Sequence, residues 1–309
     1  MESTVRSTLR KTLTAGSVAL AAFALTAATA ATGQAASAGA VKYARAADGR
    51  MVAVSTSRPS TPVHPEAITH PQLDFMGSSI PANLKPAAGT AARAVTPAAV
   101  PQLPGIDVSS YQGDIDWASV APHIDFSYAK ATEGTYYTNP DFANQYNGPY
   151  DAGVIRGAYA FGIPNNSSGA AQADYFIDNG GGWSGDGKTL PGALDIEYNP
   201  YGAECYGLSQ SSMVSWVHSF VNEYAAREGV YPVIYSTTDW WTTCTGNSGA
   251  FGSTDPLWVA NYSASGGGTL PAGWGYYTFW QYADSGSEPG DQDVFNGAYS
   301  QLQVLADKG

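Results

Sequence analysis

Met213, Trp216, Val217, Phe220, Val221 and Tyr224 follow one another at three- and four-residue steps, the spacing that lines one face of an α-helix. Ser209 or Ser211 can cap its start, and Gly229 stands where it should stop. A second helix is predicted within "SSGAAQADYFIDNGG" (167–181). Between such stretches lie short β-rich runs: "GIDVSSY" (105–111), "FSYAKATEG" (126–134), "VIRGAYAFG" (154–162), "GALDIEY" (192–198) and "YPVIYS" (231–236). Strands alternating with helices predict a parallel sheet with crossover connections. After residue 236 the pattern changes. "LWVANY" (257–262), "YYTFWQY" (276–282) and "DQDVFNG" (291–297) read as strands, separated by Gly/Ser/Thr/Pro loops with no amphipathic helix. Five strand–helix units followed by three strands supply eight strands, enough to close a barrel. The expected fold class is therefore α/β, an irregular TIM-like barrel; an open doubly wound sheet is the alternative.

The first hundred residues read differently. Arg6, Arg10 and Lys11 precede an Ala/Thr-rich apolar stretch from Leu13 to Ala31, and Ala36-Ser37-Ala38 offers an A-x-A exit. That three-part pattern predicts a secretory signal peptide over 1–38. Residues 39–101 contain eight of the 19 prolines and only two aromatics, Tyr43 and Phe75, while every tryptophan comes later. Such a stretch has too little to bury and is expected to be mostly unstructured, a pro-segment or linker. "HPQLDFMG" (70–77) is its only hint of local order. The folded body is then 102–309.

Charge divides at the same place. Residues 1–101 hold nine Lys/Arg against four Asp/Glu, and residues 102–309 hold five against 22. A body that acidic repels polyanions, which argues against a nucleic-acid partner and weighs mildly against anionic wall surfaces. No segment beyond the leader is long enough to span a membrane, so none is expected as a partner after signal cleavage. Cys205 and Cys244 are the only cysteines. In an exported chain they favour a disulfide over a metal site, with two unpaired thiols as the bland alternative.

Within this frame, acidic residues collect where a barrel places its active site, at the carboxyl ends of the strands. Asp107 stands near the end of the first strand, Asp195 and Glu197 on the fourth, Asp291 and Asp293 on the last. Strand alternation sets Asp195 and Glu197 on one face, and the inward face is preferred, with Leu194, Ile196 and Tyr198 toward the helices. Clustered carboxylates raise one another's proton affinity, so one can stay protonated near neutral pH. A protonated carboxyl in a partly dry pocket is a general acid suited to a glycosidic oxygen. Neighbours on one strand cannot flank that bond from opposite sides. Asp195 is therefore read as the partner of Glu197, orienting it or accepting a hydrogen bond from a substrate acetamido group. Asp107 or Asp291 would supply the opposing group. The competing reading is a structural network in which Lys130 or Arg156 neutralises the pair.

The body carries 35 aromatic residues, including Tyr111, Tyr159, Phe161, Tyr235, Trp258 and Trp280 on the proposed strands. Flat rings suit sugar faces, although any one of them singly is more often core. Other chemistries lack their parts. His123 and His218 are the only histidines in the body; there is no H-E-x-x-H and no G-x-S-x-G. The glycine-rich pieces at 179–187 and 265–269 lack the context of phosphate loops and read as surface loops. No metal or cofactor is expected.

"GIDVSSYQGDIDW" (105–117), "YAKATEG", "GAYAF" (157–161), "ALDIEY" (193–198), "YPVIYS", "LWVANY" and "FWQY" (279–282) with "DQDVF" (291–295), in this order, resemble the family 25 glycoside hydrolases, the Chalaropsis-type lysozymes or N-acetylmuramidases. The resemblance implies a barrel of five strand–helix units and three further strands. It also implies hydrolysis of the β-1,4 bond between N-acetylmuramic acid and N-acetylglucosamine in cell-wall peptidoglycan. It makes Glu197 the general acid and Asp195 its assistant, brings Asp107 and Asp291 into the acidic groove, and matches Tyr159, Tyr235, Trp280 and Gln281 to positions that shape the sugar site. Tyr111 and Asp293 are further groove candidates, although Asp293 stands where the family more often has Asn. Ala160 replaces the His of the common "YHF", which bears on subsite preference and pH profile. The expectation is a secreted, monomeric muramidase. The alternatives are a chitinase-like hydrolase of N-acetylglucosamine polymers and a sugar-binding barrel without turnover. Retention or inversion of the anomer stays open.

Overall fold

The computed structural model describes residues 42–45, 49–54, 69–85, 100–263 and 266–309. The expected signal peptide, 1–38, lies outside them. Two short strands, β1 (Lys42–Arg45) and β2 (Met51–Val54), pair as an antiparallel hairpin. The barrel follows. Its strands are β3 (Gln102–Val108), β4 (Phe126–Glu133), β6 (Ile155–Phe161), β7 (Ala193–Asp195), β8 (Val233–Thr237), β9 (Leu257–Ala260), β10 (Phe279–Ala283) and β11 (Asp291–Asn296). β3 pairs with both β11 and β4, so the sheet closes and the open-sheet alternative falls. β5 (Tyr137–Thr138) folds back on the end of β4. Helices α1 (Trp117–Val120), α2 (Phe142–Asp151), α3 (Gly169–Phe176) and α4 (Gln210–Glu228) fill the first crossovers.

The α4 stripe is buried as its spacing predicts; Ser209 caps the helix through the amide of Ser212, and Gly229 ends it in the left-handed conformation. Three features depart from the sequence reading. A fifth helix, α5 (Thr238–Thr245), follows β8 directly, where no helix was expected. A sixth, α6 (Tyr299–Lys308), closes the chain. And β11 runs antiparallel to both neighbours. Asp291 therefore begins its strand and still faces Asp107 at the end of β3, its register partner.

Aromatic rings fill the barrel in layers. Phe126, Phe279 and Phe295 make one tier, and Tyr128 and Trp258 the next, with ring centroids 4.8 to 5.7 Å apart. Gly157 makes room for this filling, since a Cβ there would come within 2.2 Å of the Tyr128 ring. Rings of this size each bury enough surface to contribute about 1.5–3 kcal/mol, and they floor the polar pocket above.

The stretch 39–101, expected to be mostly unstructured, holds ordered pieces. The hairpin seats Met51 against Asn147, whose side-chain amide bonds both main-chain groups of Met51 at 2.9 Å. Residues 69–85 run as successive tight turns, closed by Leu73 N to His70 O, Ser78 N to Phe75 O and Ile80 N to Gly77 O, and end in a 3-10 turn at Ala82–Leu84. This segment contains the one piece of the leader that hinted at order. Its residues have no core of their own; the barrel supplies their burial.

Candidate active site

Asp107, Asp195, Glu197, Asp291 and Asp293 are all buried, and each is raised in pKa. Burial is the largest cause throughout. Glu197 is pushed up to about 7, against the lowering effect of bonds from Ser79 and Gly77. Asp107 is also pushed up to about 7, where burial and the charge of Glu197 outweigh a hydrogen bond from Gln281. Asp195 goes well above the usual carboxylate range, through burial and then the charge of Glu197 beside it. In Asp291 and Asp293 the charge of Asp107 follows burial as the next cause.

Gln281 organises one side of the pocket. Its amide nitrogen donates to Asp107 at 2.7 Å and Asp291 at 3.1 Å, and its oxygen accepts from the hydroxyls of Tyr235 and Tyr262, each at 2.7 Å. Asp293 lies one alternation deeper on β11, opposite Gly105, and accepts from the Trp258 indole at 3.0 Å. Asp195 closes β7, and among the described residues neither of its buried carboxylate oxygens has a hydrogen-bond partner. An acceptor in that state is costly unless something else donates to it.

The competing structural network is absent. Lys130 pairs with Glu133 at 2.6 Å, and Arg156 donates to Thr189 at 2.5 Å and the Gly49 carbonyl at 2.8 Å. Lys130 reaches Asp195 only through its field, which lowers the carboxyl's proton affinity less than burial and Glu197 raise it.

The candidate residues divide on inspection. Tyr159 and Tyr235 direct their hydroxyls to the main chain of Met76 and to Gln281. Tyr111 is 61% exposed, with its ring against that of Phe75 at 5.1 Å. Trp280 lies apart from these. Alternation along β10 turns it away from Gln281; its ring sits among Tyr277 and Tyr282, and its indole donates to the Asn261 carbonyl. Cys205 and Cys244 form the expected disulfide, tying the loop after β7 to α5.

Sequence reasoning missed Tyr262, Glu133 and Tyr201. Glu133 accepts from Lys130, from Tyr136 at 2.5 Å and from Tyr201 at 2.8 Å. The signal was available: Lys130 and Glu133 are charged residues in a strand that is buried throughout, the same reasoning that singles out Asp195 and Glu197. Also missed were Gly77 and Ser79, which bond Glu197 directly.

A buried acid held near neutral pH, an unpartnered carboxylate beside it and an eight-stranded mixed barrel define a glycosidase-like site. The sequence profile of the glycosyl hydrolases family 25 matches residues 106–291, and the chain belongs to that family. It is 48% identical to Lysozyme M1 of Streptomyces globisporus over 225 residues, 71% of this chain and 76% of that one. It is 49% identical to the N,O-diacetylmuramidase of Chalaropsis sp over 206 residues, 65% of this chain and 98% of the other. Among solved structures, a muramidase from Acremonium alcalophilum superposes with a TM-score of 0.65 at 56% identity, covering 67% of this chain and all of that one.

Proposed function

We propose that the chain is a secreted muramidase that hydrolyses the β-1,4 bond between N-acetylmuramic acid and N-acetylglucosamine in peptidoglycan. Glu197 is the general acid. With its pKa raised to about 7 it keeps a proton through mildly acidic and near-neutral pH, ready for the departing glycosidic oxygen. Asp195 accepts the N–H of the substrate's acetamido group, which fixes that group beneath the anomeric carbon. Asp107 and Asp291, spanned by Gln281, stabilise the positive charge that develops on the sugar ring. Tyr111 offers an exposed face at the rim for a sugar further along the chain.

The observation that carries this reading is Asp195, whose two buried oxygens have no partner beside an acid raised to about 7. A structural carboxylate would have spent those lone pairs, whereas a substrate amide supplies the missing donor. The family membership and the names of the relatives support the same reaction class.

The test is reducing-end identification after prolonged digestion of purified peptidoglycan. Borohydride reduction should yield muramitol with the wild-type chain. With Glu197→Gln the yield should fall about 10²–10⁴-fold, the usual range for a lost general acid. Glucosaminitol in place of muramitol would indicate the other glycosidic bond. Retention on the wall without new ends would indicate a sugar-binding barrel.

A further inference from the structure

The groove is already occupied, and by the chain itself. Residues 69–85 lie over the carboxylates and bond Glu197, Tyr159, Gln281, Lys130 and Tyr201. The main-chain N–H of Gly77 donates to one oxygen of Glu197 and the Ser79 hydroxyl to the other, both at 2.6 Å. The N–H of Met76 donates to the Tyr159 hydroxyl at 3.2 Å, and Gln281 donates to the Met76 carbonyl at 3.3 Å. Lys130 donates to the carbonyls of Pro71, at 3.0 Å, and Asp74, while the Asp74 carboxylate accepts from Tyr201. Lys85 anchors the far end on Asp284 at 3.0 Å. Met76 is wholly buried, with Asp74 and Ile80 nearly so.

From this we infer that residues 69–85 are an intramolecular inhibitor that keeps the enzyme latent; the inference rests on the assignment of Glu197 as the acid. Two effects act together. The segment fills the space a sugar chain would enter. It also commits both oxygens of Glu197 as acceptors, which favours the ionised form. The oxygens that must deliver a proton to the substrate are engaged by the segment instead. Tethering strengthens both effects, because a segment on the same chain competes at an effective concentration on the order of millimolar. The relatives fit this arrangement. The Acremonium muramidase structure is covered completely by 67% of this chain, about the extent of the barrel.

Gly77 is the point at which to break the contact. Its φ is +84°, and a Cβ there would come within 2.3 Å of the Tyr262 hydroxyl and 2.8 Å of the Gln281 side-chain oxygen. A β-branched residue cannot dock in that conformation. Gly77→Val should therefore release the segment with the barrel unchanged. Met76→Asp provides a second route, setting a new carboxylate among five others.

The experiment uses the full chain and two readouts, the initial rate of muramitol release and, in a Glu197→Gln background, the fraction of protein pelleting with peptidoglycan. Both release variants should raise the rate at least tenfold and increase pelleting. A synthetic peptide of residues 69–85, added at millimolar concentration, should suppress Gly77→Val. Equal rates and equal pelleting for wild type and both variants would overturn the inhibitor while leaving the muramidase intact. If no form releases muramitol but the variants still pellet better than wild type, the proposed chemistry fails and the occlusion stands. Docking is an equilibrium, so wild type retains residual activity by which the two readings are tested apart.

Discussion

The two ends of the barrel hold their charged groups in opposite ways. At the amino end, Arg156 near the start of β6 lies with its guanidinium 4.2 Å from the ring centroids of both Tyr146 and Tyr150, and donates to Thr189 and Gly49. Beside it Asp186 accepts from two amides and two hydroxyls, of Lys188, Thr189 and Ser184. Burial pushes the Asp186 carboxyl up, but those bonds outweigh it and the net shift is downward. At the carboxyl end, Asp195 has no such donors and shifts upward. Both groups are aspartates in one barrel. A carboxylate surrounded by donors from its own fold is structural. One whose donors are missing is waiting for a ligand, and here Glu197 beside it has taken the leader as a temporary one.

The strongest way to sharpen this contrast is Glu197→Gln. It should abolish most hydrolysis yet leave the thermal midpoint at pH 7 unchanged or higher, because it replaces a buried group whose charged form burial disfavours. A large loss of stability would mean that the acid end is structural after all. Next is Arg156→Ala at the other end. Losing the ring contacts and the bonds to Thr189 and the Gly49 carbonyl should cost about 3 kcal/mol in urea unfolding, with hydrolysis per folded molecule unaltered.

A pH series separates the ends without mutation. Unfolded carboxylates ionise near pH 4, whereas Glu197 and Asp107 hold their protons to about 7 in the folded protein. Between those values the native state binds more protons than the unfolded one, so stability falls as pH rises from about 4.5 to 7. In Glu197→Gln one such proton is gone, and the slope should flatten by about 1.4 kcal/mol per pH unit, read from urea melts at pH 5, 6 and 7. The smallest effect is expected at the rim. In a Gly77→Val background, Tyr111→Ala should raise KM several-fold, about 1 kcal/mol, with kcat little changed.

Much of this was legible in the residues. The eight strands announce themselves through β-rich runs between turn formers, and Asp195 and Glu197 through the cost of two acids in an apolar run. What escaped has physical reasons. The helix α5 is written "TDWWTTCT", poor helix formers whose two tryptophans are buried by their neighbours, so tertiary packing decides it. Strand direction is not encoded in a strand's own residues, and the reversal of β11 follows from the short connection before it. Trp280 lies beside Gln281 in sequence, and a resemblance by position does not respect the alternation that separates their faces. The inhibitory segment escaped because its own composition, with Pro71, Gly77 and Pro81, reads as loop, and its burial is lent by residues far along the chain, from Lys130 to Gln281.

The reversed β11 has one more consequence. In a parallel barrel each active-site residue is followed by a crossover, and changing that crossover disturbs a helix. Here Asp291 is preceded by a hairpin connection, gripped at one end by Gly290, whose missing Cβ would fall 2.1 Å from the Asp107 carbonyl, and held near it by Glu288 against His123 at 3.0 Å. Residues 284–287 complete that connection, and Asp284 among them pairs with Lys85 at 3.0 Å. A change in this arc therefore reaches both the rim of the groove and the far end of the inhibitory segment without passing through a crossover helix.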